Sequence, residues 1–284
     1  MFYLIRKEKN ISSFAAITNF AKNNKIIKIG HSGTLDPLAT GCLLLGSDDD
    51  AKLFTFIKNK TKKYHVESQL GFQTDTFDIT GMVVNKTTKK CFSLEEIMNS
   101  IEKIKKVDFQ KPPIFSAKKV NGKRAYDLAR GNVKFTLPNI QIKIFSIENV
   151  DFDVENQILK FDIHVSNGTY IRSIVNDLGN ELGTYATMTN LDRYEISGIS
   201  FGISHKEIIK KLFKNNIILT NKKDVIELQK NHFNYVCKLD WYKKIINKND
   251  DYILVDKDKY EVYGIINITD GFIKVKKLFG KRLQ

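Results

Sequence analysis

Residues 30–41 read Gly30-His31-Ser32-Gly33-Thr34-Leu35-Asp36-Pro37-Leu38-Ala39-Thr40-Gly41. The string sets one carboxylate in a segment that suits neither helix nor strand. Glycines at both ends and in the middle permit backbone angles that other residues avoid. Pro37 locks its own φ and biases Asp36 toward an extended conformation. A stiff loop presenting Asp36 at a defined angle is expected, and chemistry concentrates on loops held by rigid scaffolds. The plainer alternative is an Asp-Pro turn between two apolar strands. The length and composition of the string favour the first reading.

Working outward, Lys25–Ile29 enters the loop as an apolar run and Cys42–Leu45 leaves it as another. Asp48-Asp49-Asp50 precedes a predicted helix, Ala51–Ile57, with the acids as cap and dipole complement. Lys62–Leu70 alternates as a strand, and a polar loop, Gln73–Gly81, follows it. Leu94–Lys106 is amphipathic, with Leu94, Ile97, Met98, Ile101 and Ile104 on one face and Ser93 with Glu96 as a capping box. Asn121-Gly122 signals a hairpin between Ser116–Val120 and Arg124, and a short helix, Ala125–Arg130, stops at Gly131. Strands are predicted at Ile140–Val150 and Ile158–Ser166. A helix then buries Ile171, Ile174, Val175, Leu178 and Leu182 and ends at Gly183. Further helices are predicted at His205–Phe213 and Lys223–Asn231. Residues 235–284 read as a small all-β appendage of short strands and polar turns.

The chain of 284 residues suffices for one large domain or a large and a small one. Met1–Lys7 lacks the pattern of a signal peptide, and no run approaches the roughly 18 apolar residues of a membrane span. Cys42, Cys91 and Cys237 are odd in number and far apart, which fits a reducing cytoplasm rather than disulfides. No His-x-x-x-His or Cys-x-x-Cys pair exists, so no transition-metal ligand set is visible. The net charge of +14 suggests a polyanionic partner. The alternative reading of that charge is coding bias, since the chain is crowded with Lys, Asn and Ile.

Three side chains stand out beside Asp36. His31, in the same glycine-framed loop, can reach a phosphate or a base edge; outside that frame it would read as structural. Tyr64 is either a cross-strand aromatic or a platform for a base taken out of a helix. Arg172 sits in the first turn of its helix, where a cation opposes the macrodipole. Asn176 stands four positions on, so no local carboxylate compensates it. It is then a solvated surface residue or has an anionic partner from elsewhere, either a carboxylate such as Asp36 or a phosphate.

Five further strings accompany the Asp36 loop in order: Lys63-Tyr64 with Leu70-Gly71, Thr74-Asp75-Thr76-Phe77-Asp78, Gln110–Lys119, Gly122-Lys123-Arg124-Ala125-Tyr126 and Gly168-Thr169-Tyr170-Ile171-Arg172-Ser173. Together they resemble the bacterial tRNA pseudouridine-55 synthases, the TruB family, over roughly residues 10–205. There are departures. The family's opening Lys-Pro-x-Gly-x-Ser-Ser appears as Lys7-Glu8-Lys9-Asn10-Ile11-Ser12-Ser13. Its Leu-Arg-Arg appears as Leu191-Asp192-Arg193, with one charge reversed.

The resemblance implies an α+β fold, with a mixed, mostly antiparallel central sheet flanked by helices. It implies a catalytic domain over 1–234 and a small β-rich PUA-like RNA-binding domain over 235–284. The region from His205 onward carries 18 basic and 10 acidic residues, +8 of the total +14. The implied activity isomerises uridine in the tRNA T loop after base flipping, with no cofactor or metal. The only partner implied is the tRNA T stem-loop, with no protein or membrane partner and a monomeric state. By the same likeness Asp36 is the essential carboxylate, either nucleophile at C1′ or base at C2′. Either role needs it ionised, so a buried Asp36 is expected to face Arg172. Tyr64 would stack on the flipped uracil, His31 and Tyr170 would help hold the nucleotide, and Asp78 would make a supporting contact. Lys9, Lys118, Lys119 and Arg193 are candidates for RNA phosphates. The alternatives are an RNA-binding or tRNA-folding protein without turnover, and a nucleoside or glycoside hydrolase, which would normally need a second opposed carboxylate.

Overall fold

β1 (Phe2–Lys7) pairs antiparallel with β3 (Thr40–Ser47), and β2 (Ile29–His31) pairs with the far end of the same strand. Residues 32–39 therefore hang between β2 and β3 as the Asp36 loop. The computed structural model describes residues 1–87, 92–116, 118–120, 122–131, 133, 135–231, 239–245 and 248–283. Cys91, Cys237, Ala117, the Asn121 of the hairpin signal and the expected division at 234/235 lie outside the described residues.

β4 (Lys62–Leu70) alternates as its sequence requires, burying Tyr64, Val66, Ser68 and Leu70 on one face. It is followed by a hairpin of β5 (Phe72–Thr74) and β6 (Val83–Lys86). Two small ladders come next: β7 (Phe109–Gln110) with β10 (Ile140–Gln141), and β8 (Lys119–Val120) with β9 (Lys123–Arg124). With β11 (Ile144–Asp153), β12 (Ile158–Val165) and β13 (Ala186–Ile196), the main sheet runs β1-β3-β13-β4-β12-β11, with β2 beside β3. Only β3 and β13 run parallel in it, through Asp192–Thr40 and Arg193–Gly41. Gly41 makes that approach possible. Its φ is +106°, and a Cβ there would lie 2.3 Å from the Arg193 carbonyl oxygen.

The predicted strand Ile140–Val150 is broken into β10 and β11, which pair with different partners. On one face of the sheet lie α2 (Leu94–Ile104) and α4 (Ile171–Glu181); α1 (Ser13–Asn23) packs against Leu43 and Leu45. The capping box of Ser93 and Glu96 is present. Leu94 and Met98, predicted on the buried face of α2, are exposed; Ile97, Ile101 and Ile104 alone make the stripe. α3 (Ala125–Arg130) ends at Gly131 as expected.

The segment predicted as helix Ala51–Ile57 is a 3-10 helix over Asp48–Phe56. No side chain caps it, although Asp48, Asp49 and Asp50 stand in its first turn, where they complement the dipole as expected. Asp50 is buried and takes a two-contact bridge from Arg282, at 3.0 and 3.1 Å. That bridge ties the helix to the far end of the chain.

After α5 (His205–Phe213), β14 (Ile217–Thr220) and α6 (Lys222–Asn231), a second sheet forms in the order β14-β15-β16-β17. β15 is Asp250–Asp256, β16 Val262–Thr269 and β17 Phe272–Leu278. The appendage is not purely of strands, since a helix over Asp240–Ile245 precedes β15, and it recruits β14, parallel to β15, from upstream. Ile253, Val255 and Ile265 of this sheet share one apolar cluster with Phe2, Leu44, Leu53 and α5, which docks it on the first sheet. No helix of the described residues is long and apolar enough to cross a membrane.

Candidate active site

The Asp36 loop is held from both sides. Ser13 Oγ donates to the Leu35 carbonyl and accepts from the Leu35 amide, both at 2.9 Å. Lys7 is fully buried, and its Nζ donates to the carbonyls of Glu8 (2.8 Å), Ile11 (2.8 Å) and Pro37 (3.1 Å). Burial lowers the Lys7 pKa to about 8. The opening turn that departs from the family pattern is therefore well made. Asn10 takes φ 64° at the place of the family's glycine, which Asn tolerates better than most residues, and its amide donates to the Pro37 carbonyl at 2.8 Å.

Arg193 is also fully buried. Its Nε donates to the Cys42 carbonyl at 2.8 Å and its Nη2 to the Gly33 carbonyl at 3.1 Å. The expected phosphate contact is corrected here: this guanidinium braces the loop from within and presents nothing to solvent. Asp192, where the charge is reversed, accepts from Arg6 Nη2 at 2.7 Å.

Arg172 does find an anionic partner far along the chain. Its Nε lies 2.9 Å from Asp36 Oδ2, and its Nη2 donates to Asp36 Oδ1 at 3.1 Å. The remaining N–H groups go to the Thr76 carbonyl (2.9 Å) and the Phe115 carbonyl (3.1 Å), with Asp78 Oδ2 at 3.7 Å. Four partners from three segments offset a cation buried at a helix N-terminus. The burial is the reverse of the expectation. Arg172 is the buried member, at 5% side-chain exposure, whereas the Asp36 side chain remains 38% exposed. The arginine therefore fixes the angle of a carboxylate whose open edge faces a cavity.

That cavity, about 310 Å³, is lined by Asp36, Tyr64, Tyr170 and Arg172, with Lys62 and Lys118 at its wall. Tyr64 is buried; burial raises its pKa, and the neighbouring Arg193 opposes the rise. Tyr170 is set by a reciprocal pair with Gln110, whose Oε1 accepts from the Tyr170 amide (2.8 Å) and whose Nε2 donates to its carbonyl (2.9 Å). Asp78 is buried behind Arg172 and accepts from the Thr80 amide at 2.9 Å. His31, Lys9 and Lys119 are not among the lining residues. His31 is exposed at the end of β2, Lys9 Nζ lies 3.4 Å from Asn190 Oδ1, and Lys119 is exposed on β8. Sequence reasoning missed Lys62 and Leu191. Lys62 stands two residues before Tyr64 on one strand, so alternation already placed both on the same face. No group of three His, Cys, Asp or Glu among the described residues could hold a metal ion.

A family model described as TruB family pseudouridylate synthase (N terminal domain) matches residues 21–171. The chain belongs to the TruB family. tRNA pseudouridine synthase B of Mycoplasma mobile is 38% identical over 284 residues, spanning 100% of this chain and 96% of its own. The protein of the same name from Mycoplasmopsis pulmonis is 40% identical over 291 residues, with the same coverages. Among solved structures, a chain of a Cbf5–Nop10–Gar1 complex superposes with a TM-score of 0.64 at 17% identity. That match covers 98% of this chain and 84% of the other, and is a likeness of fold. As a TruB pseudouridine synthase the protein is an isomerase.

Proposed function

We propose that the protein converts a uridine in the T loop of tRNA, position 55, to pseudouridine. The observation that carries this reading is the Asp36–Arg172 clamp opening on a cavity of nucleotide size walled by Tyr64 and Tyr170. The target nucleotide swings out of its loop into that cavity. Asp36 acts on the sugar, as nucleophile at C1′ or as base at C2′. The N1–C1′ bond breaks, the uracil turns, C5 bonds to C1′, the C5 proton leaves to solvent and the freed N1 takes up a proton in its place. Tyr64 stacks on the base during its rotation. Nothing is consumed. His31 and the exposed Lys9 and Lys119 act outside the chemistry, on the RNA around the target, and Lys118 meets RNA at the cavity wall.

The experiment is incubation with tRNA labelled with tritium at uridine C5. About one tritium released per tRNA, with the modified base at position 55, supports the reading. Free uracil would indicate a hydrolase, and binding without release an RNA-binding protein. The proposed 234/235 domain division is tested on the same assay by trimming the chain there. In single turnover, a primary isotope effect with deuterium at C2′ assigns the C2′ role, and capture of a covalent Asp36–sugar adduct assigns attack at C1′.

A further inference from the structure

Breaking the N1–C1′ bond sends both its electrons into the uracil, which is then an anion with charge spread over N1, O2 and O4. Asp36 carries the same charge and cannot hold that anion. Arg172 is already spent: its fork is taken by Asp36, and its other N–H groups go to the Thr76 and Phe115 carbonyls. The departing base needs a cation of its own, placed in advance where the charge develops.

Lys62 meets that need. It lines the cavity from the same face of β4 as Tyr64, two residues and about 7 Å along the strand. A base lying on the Tyr64 ring therefore has the ammonium at its rim. One of its three donors goes to Asn167 Oδ1 at 2.8 Å, and it forms no salt bridge among the described residues. The Asp36 loop holds it on the other side: a Cβ on Gly33 would lie 3.2 Å from Lys62 Nζ, with Arg193 Nη1 at 3.9 Å. Burial, then Arg193 and Lys60, lower its pKa to about 8, which leaves it mostly protonated at neutral pH. A half-buried cation beside two others, without a counter-ion, is costly to keep. An anion formed in the cavity removes that cost.

We propose that Lys62 is a catalytic residue, whose ammonium donates a hydrogen bond to the uracil as it departs from C1′ as an anion. The assignment rests on the pseudouridine reading above and adds the group that meets the leaving base. The electron pair of the N1–C1′ bond goes to the base, Lys62 keeps its protons, and the charge-assisted contact holds the base in the cavity while it turns. Negative charge returns to the base when C5 loses its proton, and Lys62 meets it again until N1 is protonated. The base leaves with the same charge whether Asp36 attacks C1′ or takes the C2′ proton, so this role is common to both routes.

The test is single-turnover conversion by the full chain at protein concentrations that saturate tRNA, read as loss of the N-linked nucleoside at position 55. Each protein receives two substrates, ordinary tRNA and tRNA with 5-fluorouridine at position 55, whose base leaves as a more stable anion and needs less help. On ordinary tRNA, Lys62→Gln should react about 100-fold more slowly than the unsubstituted protein, the loss typical of removing one donor to a developing anion. On the fluorinated tRNA that loss should shrink to about tenfold or less. Lys62→Arg, which keeps the charge, should recover most of the rate on both. Lys60→Gln, which removes a charge that does not line the cavity, should shift both substrates alike. The two substrates are compared on one protein preparation, so any loss of folding cancels from their ratio. Equal losses on both tRNAs in Lys62→Gln, or weakened binding with an unchanged rate at saturation, overturn the proposal. Failure of the unsubstituted protein to convert position 55 at all overturns the isomerase reading itself, and the role of Lys62 with it.

Discussion

Asp36 with Arg172 and Asp50 with Arg282 are both two-contact carboxylate–guanidinium pairs between residues far apart in sequence. They are built in opposite senses. At Asp50 the carboxylate is sealed, at 2% side-chain exposure, and the arginine is the more accessible member at 17%. At Asp36 the arginine is sealed and the carboxylate is open. A carboxylate that fastens two parts of a fold needs every lone pair occupied. One that attacks a sugar needs a fixed direction and a free edge. On the proposed function, the same residue pair serves as a latch or as a reactive group according to which partner water can reach.

The largest effect that would break this contrast is at Arg172. Arg172→Lys keeps a charge and loses the fork. Turnover is expected to fall about 100-fold or more while tRNA affinity changes by less than about threefold. Matched losses in kcat and affinity would mean that Arg172 grips RNA instead of aiming Asp36.

Asp50→Asn should do the opposite. Breaking a buried pair costs about 3 kcal/mol of stability, read by urea unfolding, with tritium release per folded molecule retained. Burial alone raises the Asp50 pKa, but Arg282, together with the Met1 amino group 2.7 Å from Asp50 Oδ2, outweighs it and leaves it below the ordinary carboxylate value. Stability from this pair is therefore complete above the ordinary carboxylate pKa and is lost as pH falls through the depressed one. The Asn variant should lack that acid step.

Lys62 sharpens the electrostatics of the open site. With its pKa near 8, it loses its proton as pH rises past about 8, and tRNA binding should weaken over that range. Lys62→Gln should bind weakly throughout and show no such step. A step that survives in Lys62→Gln belongs to another group, such as Lys7.

The smallest effect is at the opening turn. Asn10→Gly relieves a left-handed residue but loosens the unfolded chain, for a net change under about 1 kcal/mol. Asn10→Val, a β-branched residue at φ 64°, should destabilise by about 1–2 kcal/mol. Thermal melts separate the two.

What was legible in the sequence follows from how local each signal is. The Lys62–Leu70 alternation, the Ser93 cap and the stop at Gly131 are written within a few residues, and the elements formed where expected. The need of Arg172 for a distant anion was legible because Val175 and Asn176, three and four positions on, supply no carboxylate; that the anion is Asp36 was one of the alternatives. Burial was not legible. Arg193 read as a contact for RNA phosphate, yet it lies inside, because the carbonyls that receive it, of Cys42 and Gly33, belong to a strand and a loop far along the chain. The acids of Asp48–Asp50 read as a helix cap for the same reason, since Arg282 is 232 residues away. The fate of a charge depends on its neighbours in space, and a sequence taken alone supplies only its neighbours along the chain.

The most direct measurement is single-turnover tritium release by Asp36→Asn, at protein concentrations that saturate tRNA, beside Asp50→Asn as the control. Loss of all detectable release at Asp36, with tRNA binding kept and normal release from the Asp50 variant, is the expected result. Release from Asp36→Asn at a rate near that of the unsubstituted protein would contradict the assignment of Asp36 as the group that reacts with the sugar.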